Sequence, residues 1–205
     1  MIGLQPYASR TGTRRNLDAL RQAGWHLLIS ATGVWRSEGF PYALDNGAWT
    51  AHQQGTQFDG VRFLALLRRF GAGANWCVVP DIVGAGMRSL QFSLTWLPYV
   101  QRFTPLPLIA VQDGMEPNDV APHLGKKVGI FVGGSTDWKV GTLLKWGKLA
   151  KSVGCYLHVG RVNTVKRINL CLAAGADSFD GTSVTRFAKT LPMLDHARRQ
   201  QDFFA

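Results

Sequence analysis

The chain has 205 residues, with 23 Lys or Arg against 13 Asp or Glu, a formal charge of +10. A hydrophobic share of 46% supports one packed domain spanning residues 1–205 and excludes a disordered or collagen-like chain. No apolar run approaches a membrane span, no basic-then-apolar leader opens the chain, and the odd, widely spaced Cys77, Cys155 and Cys171 suggest neither a disulfide framework nor a zinc knuckle. A reducing cytoplasm is the expected compartment.

Apolar β-rich segments alternate with stretches of helical period. In chain order the predicted strands are Ile2–Leu4, His26–Ser30, Tyr42–Leu44, Trp76–Val79, Pro107–Val111, Val128–Val132, Cys155–Val159 and Asp177–Phe179. The predicted helices are Thr13–Ala23, with Leu17 and Leu20 on one face, and Phe58–Phe70, with Val61, Leu64 and Ala65 on one face whose next position, Arg68, leaves a wet edge. Further helices are predicted at Met87–Phe103, Asp119–Leu124, Trp138–Val153, Thr164–Ala173 and Ala188–Gln201. Gly24, Gly71, Gly125, Gly154 and Gly175 follow five of these, where a left-handed residue closes a helix. The stretch Ala31–Pro41 is too short and Gly-rich for a helix, so the second repeat lacks one. Buried strands alternating with helices indicate α/β architecture with parallel strands. Eight strands favour a compact (β/α)8 barrel of TIM type, with a doubly wound open sheet as the alternative.

The aspartates are unevenly placed. Asp45, Asp81, Asp113, Asp137 and Asp180 each sit at or just beyond the end of a predicted strand. In a barrel those ends converge on one mouth, where clustered carboxylates raise one another's pKa values and suit acid–base or nucleophilic work. Asp113 and Asp137 read instead as helix caps or solvated groups. The five histidines show no HxxxH or HxH spacing, so zinc is disfavoured, although oxygen ligands for magnesium or calcium are present. Gly84-Ala85-Gly86 and Gly133-Gly134 complete neither a P-loop nor a dinucleotide fingerprint, and no GxSxG elbow occurs. No cofactor or resident metal is expected. The dispersed basic pairs, such as Arg14-Arg15, Lys126-Lys127 and Arg198-Arg199, suit a polyanion lying on the folded surface, with seven Trp and eleven Phe as possible stacking platforms.

Six segments in unbroken order carry a resemblance. They are Leu44-Asp45-Asn46-Gly47-Ala48-Trp49, Val79-Pro80-Asp81, Ala110-Val111-Gln112-Asp113-Gly114 and Phe131-Val132-Gly133-Gly134. Tyr156-Leu157-His158-Val159-Gly160 and Gly175-Ala176-Asp177-Ser178-Phe179-Asp180, ending in Thr185-Arg186, complete the set. Together they resemble the tRNA-guanine transglycosylase superfamily. No cysteine follows Arg186, so the family's zinc module is missing, and Asn46 and Ala48 replace its Ser and Gly. A minimal, zinc-free, basic form is most similar to the DpdA-type DNA-guanine transglycosylases of phages and bacteria.

The resemblance implies exchange of guanine in DNA for a 7-deazaguanine base such as preQ0, with DNA, free guanine and the deazaguanine as partners. Asp180 is the implied nucleophile and Asp45 the implied acid–base or supporting carboxylate. Asp81, Gln112 and the backbone N–H groups of Gly133 and Gly134 would read the base, with Trp49 and His158 sandwiching it. Arg161, Arg186 and Lys189 near the mouth would hold phosphates. The alternatives are a reduced tRNA-directed transglycosylase, a non-catalytic nucleic-acid-binding barrel, and a barrel hydrolase or phosphosugar enzyme using Gly133-Gly134 for phosphate. The central expectation is that Asp45 and Asp180 face one purine-sized slot.

Overall fold

The computed structural model describes residues 3–9, 12–187 and 189–200. Eight parallel strands close into a barrel in sequence order. They are β1 (Gln5–Ala8), β2 (His26–Ser30), β3 (Tyr42–Asp45), β4 (Cys77–Val78), β5 (Pro107–Val111), β6 (Gly129–Val132), β7 (Leu157–Val159) and β8 (Ser178–Gly181). The seam between β1 and β8 pairs Gln5 with Ser178 and Tyr7 with Asp180. The first strand thus lies later than the predicted Ile2–Leu4, of which Ile2 falls outside the described residues. Pro6 disguises it, because proline discourages a strand reading in a sheet with neighbours on both sides.

The helices are α1 (Arg14–Gln22), α2 (Ala48–Gln53), α3 (Gly60–Phe70), α4 (Met87–Val100), α5 (Pro117–Val120), α6 (Thr136–Val153), α7 (Val165–Ala173), α8 (Ser183–Arg186) and α9 (Thr190–Arg199). As expected, no helix joins β2 to β3. The short α2 and α8 escaped the sequence reading, being too brief for a periodic signal. Pro122 turns the end of the expected 119–124 helix into a 3-10 turn over Ala121–His123. Of the predicted C-terminal helix, Ala188 and Gln201 lie outside the described residues. In α3 the buried face is Phe63, Leu66 and Leu67; of the expected face Leu64 packs partly against the same core, Ala65 is half-buried and Val61 is 82% exposed. The larger stripe wins because it buries an aromatic ring and two leucines. Gly24, Gly154 and Gly175 have the left-handed φ expected past a helix, whereas Gly71 (φ −59) begins a 3-10 turn and Gly125 is not left-handed.

Strand side chains alternate in and out, and the alternation sorts the core into layers. Outward residues pack under the helices: Ile29, Leu44, Cys77 and Val79 against Phe63, Leu66 and Leu67, and Val132, Val159 and Phe179 in the larger shell with Leu143, Trp146 and Leu194. Inward residues Tyr7, Leu28, Ala43, Trp76, Val78, Leu108 and Ala110 fill the barrel, with Phe131 and Tyr156 against them. Two residues further along, the next inward positions of seven of the eight strands are Ser9, Ser30, Asp45, Gln112, Gly133, Gly160 and Asp180, and that of β4 is Pro80. Apart from Pro80 that layer is polar or side-chain-free, and it closes the top of an interior packed with aliphatic and aromatic side chains. All three cysteines are free. Among the described residues no helix is long and apolar enough to cross a membrane.

Candidate active site

A cleft of about 730 Å³ opens at the C-terminal ends of the strands, where barrel chemistry belongs. This volume lies in the range of small-molecule sites, about 300–1,000 Å³. Of the residues singled out from the sequence, Asp45, Asp81, Gln112, Gly133, Gly134, Trp49, Asp180, Arg161 and Arg186 all line it. His158 and Lys189 do not. A separate open hollow on α1, beside Arg14, Arg15 and Asp18, has no comparable carboxylate cluster.

Asp180 ends the inward row of β8 and is 4% exposed. The backbone N–H of Arg161 donates to both its carboxylate oxygens at 3.3 Å, and His158 Nε2 lies 3.2 Å from Oδ1. A carboxylate only accepts, so Nε2 carries the proton; Nδ1 of the neutral ring then accepts from Ser178 Oγ at 2.7 Å. Burial holds the imidazole below its ordinary pKa, against the opposing pull of Asp180. His158 is entirely buried, and Phe131, which lines the cleft, stacks on it at 5.0 Å and 22°. The sandwich role expected of His158 is therefore corrected: its ring offers no face to a ligand and instead orients Asp180.

Asp45 ends β3 and accepts from Ser30 Oγ at 2.9 Å and from the Gly47 N–H at 2.8 Å. Its pKa is raised, first by burial and then by the like charge of Asp180, with those two hydrogen bonds opposing. The Asp45–Asp180 repulsion is the electrostatic signature of two carboxylates sharing one cleft. Asp81 is pushed up to about 6, mainly by burial and further by Asp45. Asn46 counters by donating to Asp81 Oδ1 at 2.8 Å, while also bonding Val79 O at 2.9 Å and accepting from Ala48 N at 2.7 Å. Asn46 thus fixes Asp81 relative to β3. The sequence reading treated it only as a departure from the motif.

Gln112 is 3% exposed and already engaged. Its Nε2 donates to Ser89 Oγ at 2.6 Å and Ile82 O at 3.0 Å, and reaches Asp81 Oδ2 at 3.4 Å, while Oε1 accepts from Gly84 N. The amide expected to read a base directly acts here as a clamp on the Asp81 loop, with one lone pair of Oε1 left. The Gly133 N–H donates to Val111 O at 2.9 Å in extension of the β-ladder, so it is not a free donor. Gly134 N–H has no partner among the described residues. A side chain at Gly134 (φ +69) would collide with the Trp138 ring and the Asp113 carboxylate. Asp113 holds Ser135, the residue that caps α6, accepting from its N–H and its Oγ, both at 2.6 Å. Burial alone would raise Asp113; those bonds and the charge of Arg161 bring it below its ordinary value.

Arg161 is more central than its assignment to phosphate binding implied. Its backbone adopts the left-handed region (φ 59), which aims its N–H at Asp180. Its guanidinium bonds Gly134 O and lies 4.1 Å from the Trp49 ring centroid. Beneath this turn Lys139 of α6, 5% exposed, places its ammonium on Gly160 O. Burial lowers its pKa to about 8, and Arg161 adds to the effect while Asp180 opposes it. No sequence signal separates Lys139 from the surface lysines of α6; only its packing does. Trp49 is 39% exposed at the cleft, whereas Trp25, Trp76 and Trp146 are buried in the core, so tryptophan abundance reflects packing more than stacking platforms. Arg186 and Lys189 are exposed. Among the described residues no group of three or more His, Cys, Asp or Glu could hold a metal ion.

No family model matches the chain, and no curated protein matches it. Solved structures do. Mandelate oxidase with (S)-2-phenylpropionate is 15% identical over 95% of this chain and 70% of its own, with a TM-score of 0.59. The HpcH/HpaI aldolase from Desulfitobacterium hafniense DCB-2 is 10% identical over 99% and 95%, at 0.55. Yersinia pestis DHPS is 11% identical over 96% and 94%, at 0.53. At such identities the likeness is one of fold. The chain is a closed (β/α)8 barrel, and its site is a cleft at the strand ends lined by Asp45, Asp81 and Asp180.

Proposed function

We propose that the protein is a base-exchange glycosyltransferase that replaces guanine in DNA by a 7-deazaguanine base. Barrels of this kind carry catalysis at the strand ends, and an oxidase and an aldolase are among the similar structures. The observation that carries the finer reading is the convergence on one cleft of Asp45, Asp81 and Asp180 with Trp49 and the Gly133-Gly134 turn. These residues come from the segments that resemble the transglycosylases.

An Asp180 oxygen attacks C1′ of the target nucleoside, and the C1′–N9 bond breaks with its electron pair going to guanine. His158 and the Arg161 N–H hold that carboxylate in place. Asp45, made more basic by burial and by Asp180, gives the departing guanine a proton. The incoming base loses its N9 proton to Asp45, and N9 then attacks C1′ and releases Asp180. Asp81 accepts from the purine N1–H and amino groups, Gly134 N–H donates to O6, and Trp49 lends a stacking face once Arg161 moves aside. Use of the Gly133-Gly134 turn for phosphate is the weaker reading, since Asp113 already occupies the start of α6. The basic charge of the chain favours a polyanionic substrate.

The test supplies labelled guanine with DNA or tRNA and follows incorporation, using wild type beside Asp180→Ala. Incorporation into DNA, with a covalent enzyme–DNA adduct that Asp180→Ala abolishes, is expected. Incorporation into tRNA alone would transfer the reading to the RNA substrate, and an adduct surviving in Asp180→Ala would remove the assigned nucleophile.

A further inference from the structure

Phe187 follows the short helix α8, next in sequence to Arg186, which lines the cleft, and the residue is 56% exposed. A large aromatic more than half in water belongs neither to the core beneath it, where Val184, Leu191 and Leu194 are buried, nor to the residues lining the cleft. Its backbone is nonetheless fixed. Phe187 N–H donates to Ser183 O at 2.9 Å, and Phe187 O accepts from Thr190 N at 2.9 Å and Thr190 Oγ1 at 2.7 Å. Thr190 Oγ1 lies 2.8 Å from Ser183 O, so one hydroxyl staples α8 to α9 around this residue. Arg186, on one side, is exposed and lines the cleft; Lys189, on the other, is exposed as well. An apolar ring on a residue whose own backbone groups are bonded, with an exposed cation before and after it in sequence and one of these at the mouth of a base-sized site, matches what a stacked polyanion requires. The cations meet phosphates, and the ring enters between bases.

We infer that the substrate is duplex DNA and that Phe187 is the wedge that fills the stack when the target base turns out into the cleft. The inference rests on the base-exchange reading and adds to it the form of the substrate. A base inside a duplex is out of reach of Asp180 until it is extruded, and an extruded base returns unless its place is taken. Phe187 takes that place. A single strand offers no paired stack to interrupt, so the ring matters little there.

The experiment measures labelled-guanine exchange into a duplex and into its single strand for wild type, Phe187→Ala and Phe187→Trp. In parallel it follows the fluorescence of a 2-aminopurine placed at the target position when each protein binds. Because Phe187 is exposed, the alanine variant keeps its fold, which circular dichroism verifies. The expectation is a roughly tenfold or greater loss of duplex exchange in Phe187→Ala, with the single strand within about twofold and Phe187→Trp restoring activity. The 2-aminopurine signal should rise with wild type and Phe187→Trp on the duplex but not with Phe187→Ala. Equal effects on duplex and single strand, or none on either, overturn the wedge while leaving base exchange standing. Phe187-dependent brightening without exchange into any polymer overturns base exchange while leaving the wedge. Dependence on Phe187 with tRNA but not with the duplex overturns the choice of DNA.

Discussion

Replacing Asp81 by Asn should make the protein more stable and unable to bind its base. Asp81 has its carboxyl raised from 3.8 to about 6, chiefly by burial at the cleft. That displacement corresponds to about 3 kcal/mol by which the ionised group disfavours the folded state. Between those two pH values the folded protein binds more protons than the unfolded chain, so stability falls as pH rises through this window. The penalty is complete above about 6 and absent well below 3.8. Asn removes it, but its amide would set an N–H group against Gln112 Nε2, now 3.4 Å from Asp81 Oδ2. That mismatch costs about 1 kcal/mol. The net gain at pH 7.5 is about 2 kcal/mol, or a melting temperature higher by about 5 °C for a chain of this size. Urea denaturation of both proteins at pH 7.5 and pH 4 measures it, with calorimetry of guanine binding alongside. The advantage should vanish at pH 4, and guanine binding should be lost at pH 7.5. An Asn variant that is less stable at pH 7.5, or whose advantage is the same at both pH values, would refute the reasoning.

Lys139→Met should remove a pH dependence at the alkaline end. The Lys139 ammonium disfavours folding below about 8, so wild type should gain up to about 3 kcal/mol as pH rises toward 10.5. The variant should lack that gain, which denaturation at pH 7 and pH 9.5 measures. His158→Ala should lower kcat about 10- to 100-fold with the KM for the base within about twofold, because it loosens Asp180 without touching the ligand. A raised KM at constant kcat would return His158 to a binding role. Arg186→Ala should weaken DNA binding in a titration and reduce the slope of log affinity against log salt by about 1.

The barrel was legible because its strands are continuous apolar runs, such as Pro107–Val111, separated by periodic helices. The strand-end aspartates were legible because β3 and β8 end in Asp45 and just past Asp180, and two-residue alternation turns both inward. What the sequence withheld were contacts between distant positions. His158 has the same inward phase as Phe131, yet only the fold reveals that Phe131 covers it. Gln112 looks like a reader of bases until its amide is found spent on Gly84, Ser89 and Ile82. Lys139 and Lys145 belong to the same helix; one is buried with its ammonium on Gly160 O and the other is exposed beside Glu116. In α3 two stripes compete, and burial of Phe63 decides between them.

The polar tier that caps the barrel interior separates what can change from what cannot. Ser9, Ser30, Asp45, Gln112 and Asp180 sit at or within one residue of the ends of their strands, and the rings of Tyr7, Trp76 and Phe131 below them carry much of the packing. Reactivity and architecture are therefore inherited through different side chains of the same short strands. Selection can rewrite the upper tier, one residue per strand, without asking the barrel to fold anew.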